Sequence, residues 1–279
     1  MTTLVFIHGR GQEGVDPGAL LAEWDRALCA GLGTARLPVR AVMAYYGNVL
    51  HRVTAEIAGL PELAESVSEE PTQEVPFHPY LPRETGQLER ELLADLANAA
   101  GPPVEAGIED VLTWTLARRL LEWTCRHTGV DREIIKIFLQ DVAVYLSHGR
   151  RPVLDAVRRQ LPADGPIVLV THSLGTVVAR DLLVEEAVRR RVSFWVTAGS
   201  PLGLPTIQRN LLARGTVHPG VSWLTAYDVN DIVALGHPLE RSWGTPLSQI
   251  EVENGDQPHS IDRYLGHRTV AGPIGRTCA

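Results

Sequence analysis

Residues 167–186, IVLVTHSLGTVVARDLLVEE, change their hydrophobic period at a single serine. Ile167 to Val170 form an uninterrupted apolar run suited to a parallel strand covered on both faces. From Leu174 onward, Val177, Val178, Leu182 and Leu183 recur at helical spacing, with Arg180, Asp181, Glu185 and Glu186 on the remaining face. Ser173 therefore occupies a strand-to-helix turn. A buried parallel strand needs helical crossovers to reach its neighbours, which restricts the chain to α/β architectures.

The flanking sequence repeats the alternation. TLVFI (3–7) reads as a short buried strand ending in His8-Gly9-Arg10-Gly11. A helix follows from about Pro17 to Cys29, with Leu20, Leu21, Trp24 and Leu28 on one face, Asp16 as its cap and proline in its first turn. VRAVMAYY (39–46) is a second strand. After a helix at about 151–161 and the strand 167–170 come strands at 193–199, 221–227 and 248–253. The expected fold is an α/β domain over 1–279, a mainly parallel sheet flanked by helices. Residues 47–140 interrupt it as a mostly helical cap: a Pro-, Glu- and Ser-rich surface excursion (61–82), then helices at 84–99, 107–126 and 131–146. There is no internal repeat.

Twenty-six basic residues against 33 acidic ones give a formal net charge of −7, the opposite of a nucleic-acid footprint. Cys29, Cys125 and Cys278 lack CxxC spacing and metal-ligand company, and read as two packed thiols and one in a loose tail. No apolar run approaches the roughly 18 residues of a membrane span. The opening MTTLVFIHG enters a strand without a signal-peptide pattern, so a cytoplasmic location is expected.

A serine hydroxyl is a weak nucleophile unless an adjacent base, oriented by a third group, accepts its proton. Standing alone, Ser173 could equally be a helix N-cap. Three other segments supply the company a nucleophile needs. In LVFIHGRG a strand ends in His8-Gly9, so that the Arg10 amide and the Leu174 amide at the helix start are the expected oxyanion donors. In WLTAYDVNDIVA, Asp228 and Asp231 both follow a strand; Asp231 is favoured, because Asp228 lies close enough to the strand end to cap a turn. In ENGDQPHSIDRYLGH, His259 is the expected general base and His267, about two helical turns on, its rival. His8 and His172 are expected to be packed supports.

The segments LVFIHGRG, THSLGTVVA, TAGSPLG, DVNDIVA and PHSIDRYL, in the order Ser173, Asp231, His259, resemble the α/β-hydrolase superfamily and within it the bacterial serine esterase and lipase-like branch. The resemblance covers about the first 50 residues and 150–270. It departs from the pattern at Thr171, where the elbow usually has glycine, and at Ile232, where proline often follows the acid. It implies cleavage of an ester, thioester or related acyl bond in a small-molecule or acyl-chain substrate, with no metal or organic cofactor. An acyltransferase, a thioesterase or a serine peptidase would use the same triad, and a catalytically inert hydrolase fold could serve as a binding module. Trp114, Trp123, Phe138 and Leu120 in the insertion suit either ordinary packing or the roof of an acyl pocket.

Overall fold

The structure, a computed structural model, describes residues 1–59, 81–100, 132–244 and 247–279. All but two residues of the excursion at 61–82, the helix expected over 107–126 with Trp114, Leu120 and Trp123, and Cys125 lie outside the described residues. The chain divides into two compact units: Met1–Gly9, Val15–Tyr45 and Leu154–Ala279 form one, and Arg10–Gly14 with Tyr46–Val153 the other.

The first unit is built on a six-stranded, wholly parallel sheet flanked by helices. Its strands are β1 (Thr3–Ile7), β2 (Arg40–Met43), β3 (Ile167–His172), β4 (Val192–Ala198), β5 (Trp223–Tyr227) and β6 (Ser248–Glu251), in spatial order β2-β1-β3-β4-β5-β6. Val5 sits in register with Val42 on one side and Leu169 on the other. All six residues of β3 are buried, as a central strand covered on both faces requires. The edge strands β2 and β6 are four residues each and partly exposed, which limits the unpaired backbone they present. The chain leaves β1 toward β2 and later returns on its other side as β3. The crevice outside the carboxyl ends of β1 and β3 is therefore the topological switch point where α/β folds hold ligands.

Alternate side chains face opposite layers. Leu4, Phe6, Val168, Val170, Val196, Ala198, Leu224 and Ala226 pack with Leu20, Trp24 and Leu28 of helix Pro17–Leu32, with Tyr264 and Leu265 of Ile261–Gly266, and with Val270, Ala271 and Ile274 of Arg268–Cys278. On the other face Trp195 and Trp223 stack at 4.6 Å, and each indole N–H donates to a threonine on the preceding strand, Trp195 to Thr171 (3.0 Å) and Trp223 to Thr197 (3.1 Å). Asp16 caps the first helix, accepting from the Ala19 amide at 2.8 Å.

The C-terminal residues correct one expectation. Cys278 lies on the helix Arg268–Cys278 and is buried, not part of a loose tail. Pro273 inside this segment argues against a helix by propensity, but Val270, Ala271, Ile274 and Cys278 bury a stripe against the core, and that packing decides the outcome.

The described part of the second unit is helical: Gly47–Ile57, Arg83–Ala100 and Arg132–Val144, the last continuing into a π-helical turn over Tyr145–Gly149. Leu92, Leu93, Leu96, Phe138, Leu139 and Val142 are buried in it. Asn48 accepts the Gly14 amide at 2.8 Å, tying the segment 10–14 to the first of these helices. No described helix is long and apolar enough to cross a membrane.

Candidate active site

Ser173 joins β3 to the helix Leu174–Leu182 with φ 53° and ψ −129°. These are the values of the first central position of a type II′ turn, a place for glycine. Among the described residues no other non-glycine residue has positive φ. Holding such a conformation costs about 1–3 kcal/mol and persists only where the surroundings impose it. Two close approaches impose it here. A Cβ on Gly175 would lie 2.3 Å from the His8 carbonyl oxygen and 2.4 Å from that of Ile7, so the helix can start against the end of β1 only with glycine there. A Cβ on Gly9 would come within 2.8 Å of Ser173 Cβ, which puts the end of β1 against the serine.

The serine makes no capping bond to the helix it precedes, which removes the N-cap alternative. Its Oγ lies 3.0 Å from Nε2 of His259, and Nδ1 of the same ring lies 2.8 Å from Oδ2 of Asp231. A carboxylate only accepts, so Nδ1 carries a proton, and in the neutral imidazole Nε2 then presents its lone pair to the serine hydroxyl. Asp231 is fully buried. Burial alone would raise its pKa, but the bonds and charge of His259, the Tyr264 hydroxyl and the nearby His172 outweigh burial and hold the carboxyl below its ordinary range. Its second oxygen accepts the Val233 amide at 2.9 Å, so the same aspartate caps the 3₁₀ turn Ile232–Ala234.

The two rival residues are engaged elsewhere. Asp228 accepts the amides of Asn230 (2.7 Å) and Asn254 (2.6 Å), closing the loop after β5 and fastening it to the loop that carries the histidine. His267 donates from Nε2 to the Asn254 side-chain carbonyl at 3.1 Å.

Supporting contacts surround this chain of hydrogen bonds. His172 Nε2 donates to the His259 carbonyl at 2.8 Å, and the two rings lie 4.6 Å apart. Thr176 donates to the Ser173 carbonyl at 2.7 Å and meets Ser200 Oγ at 2.8 Å. Thr171, the departure from glycine, points away from the turn: its hydroxyl donates to the Val196 carbonyl at 2.9 Å and accepts the Trp195 indole N–H. The Leu174 amide opens the helix and is among the donors that a helix leaves without an internal acceptor.

Arg10 falls in the second unit. Burial depresses its guanidinium pKa, against the raising influence of Asp141 and Glu13. The Asp141 carboxyl is pushed up to about 7 by burial, opposed by Arg10. In the first unit His8 Nδ1 donates to the Gly9 carbonyl at 2.6 Å. Burial pulls His8 down to about 4, so it is neutral at pH 7.

Tyr264 lies within PHSIDRYL, and nothing in the sequence marks it for the site. Its hydroxyl donates to Asp231 Oδ2 at 2.8 Å. Gly199, with φ 54° at the end of β4, was also passed over; a Cβ there would meet Asp231 Oδ2 at 2.7 Å and His259 Nδ1 at 3.0 Å. Compared with known proteins, the chain matches no family model and no curated sequence.

Proposed function

We propose that this protein is a serine hydrolase of the α/β-hydrolase type, cleaving an ester, thioester or related acyl bond in a small-molecule or acyl-chain substrate. The observation that carries the reading is the Ser173–His259–Asp231 chain of hydrogen bonds, anchored on a serine held in a glycine-like conformation. In this mechanism Ser173 Oγ attacks the acyl carbon while His259 Nε2 takes its proton. Asp231 holds the Nδ1–H tautomer and balances the imidazolium charge. The Leu174 amide donates to the oxyanion. Collapse returns the proton from Nε2 to the leaving group and leaves an acyl-serine, which a water activated by His259 then hydrolyses.

The test is labelling with a fluorophosphonate, with the modified peptide identified by mass. Wild type is expected to label at Ser173, and Ser173→Ala and His259→Ala to lose labelling. A folded wild type that stays unlabelled would overturn the reading and favour a binding module.

A further inference from the structure

We infer that Tyr264 is a positioning residue for the acid of the proposed triad, fixing the Asp231 oxygen that His259 uses. The inference rests on the hydrolase reading for its catalytic consequence, but the hydrogen-bond geometry stands without it.

A phenol has one proton, and the structure dictates where it goes. The Asp228 amide donates to Tyr264 Oη at 3.0 Å, which occupies the oxygen as an acceptor. The hydroxyl proton is left for Asp231 Oδ2 at 2.8 Å. The ring itself is fully buried among the residues packed under the sheet, so it cannot swing away to another partner. Burial and the adjacent Asp231 both raise its pKa, so the hydroxyl stays a donor throughout the working range.

Oδ2 thus accepts two hydrogen bonds from two directions, from Tyr264 and from His259 Nδ1, while Oδ1 is held by the Val233 amide. The Val233 amide comes from the turn after β5, and the other two donors from the segment 259–264. Without Tyr264 the carboxylate retains one backbone anchor and can rotate about it, and the line from Oδ2 through the imidazole to Ser173 loses its fixed end. Tyr264 also follows His259 by five residues on the helix Ile261–Gly266. A single short segment therefore supplies the base and the group that aims its partner, and Asp228 contributes through its backbone the bond that aims the tyrosine.

The experiment compares Tyr264→Phe with wild type in turnover of an acyl ester and in the downfield proton resonance of His259 Nδ1, assigned by its loss in His259→Ala. The expected result is a kcat about tenfold lower with KM unchanged, the scale of one hydrogen bond to a charged group. The resonance should move upfield as the mean Nδ1–Oδ2 distance grows. Ile274→Val, a trim in the same core away from Asp231, serves as a control that loses stability without losing kcat. Unchanged kcat and an unmoved resonance in a folded Tyr264→Phe would overturn the proposal. Should that variant not fold, 3-fluorotyrosine placed at 264 keeps both hydrogen bonds with a stronger donor. It should draw charge from the Nδ1–H bond and move the resonance upfield; no movement overturns the proposal. A resonance that shifts in a protein no fluorophosphonate labels would support the Tyr264 link and sink the hydrolase reading. A labelled wild type matched in every readout by Tyr264→Phe would do the reverse.

Discussion

Ser173 Oγ stands 3.0 Å from His259 Nε2, and it reaches that position through a backbone with φ 53°. The contact and the strain have one source, because the turn that lifts the side chain clear of β3 is the turn that disfavours a Cβ. Ser173→Gly is expected to raise unfolding stability by about 1 kcal/mol while abolishing fluorophosphonate labelling. Ser173→Ala retains the Cβ, so it should abolish labelling without that gain. Urea unfolding of the two variants checks the difference, and equal stabilities would show that the turn holds no strain.

Thr171 sits where the elbow it resembles usually has glycine, yet its side chain lies on the opposite face, between Trp195 and the Val196 carbonyl. Thr171→Val preserves shape but leaves a buried indole N–H and a buried carbonyl without this partner. It should destabilise the protein by about 2 kcal/mol, and Thr171→Ser should recover most of the loss. Chemical denaturation of the pair measures it.

The same residue shows what the sequence can and cannot disclose. Hydrophobic period and turn residues locate each of the six strands, because β3 is buried on both faces and the others border helices with clear apolar stripes. The order of Ser173, Asp231 and His259 was legible for a related reason: each follows a strand, and a parallel sheet brings those ends to one edge. Tyr264 was not legible, since its spacing marks it as a core residue and only the third dimension brings its hydroxyl to Asp231. The helix Arg268–Cys278 was hidden by Pro273, a local penalty that burial of Val270, Ala271 and Ile274 offsets. Likewise nothing in the string distinguishes Asp141 from a surface carboxylate; its raised pKa comes from folding it away from water.

Gly199 bears on the geometry of the proposed triad more than on stability. An added Cβ would press on Asp231 Oδ2 at 2.7 Å and on the His259 ring at 3.0 Å, and the positive φ there resists any L side chain. Gly199→Ala is therefore expected to slow labelling of Ser173 by about 100-fold, the cost of misplacing a catalytic group by roughly 1 Å. The rate of fluorophosphonate inactivation reads this directly, and an unchanged rate would mean that the acid and base tolerate displacement.

The two units should respond to acid in opposite directions. In the first, burial lowers His8 and His237 from 6.5 to about 4. Between those values the unfolded chain binds protons that the folded unit does not, so this contribution to stability is complete above about pH 6.5 and is lost as pH falls through about 4. Asp231, also lowered, adds to the loss at the acid end. In the second unit, burial raises Asp141 to about 7 and Glu89 to about 8. There the folded unit holds protons that the unfolded chain has released, so its contribution rises as pH falls from about 8 toward the ordinary carboxylate range. Hydrogen exchange resolved by peptide, from pH 7.5 down to 4.5 and corrected for intrinsic rates, should show protection falling in β1 and around His237 while it rises in the helices Arg83–Ala100 and Arg132–Val144. His8→Gln should flatten the first trend and Asp141→Asn the second; parallel trends in both units would contradict the opposed burial of imidazoles and carboxyls.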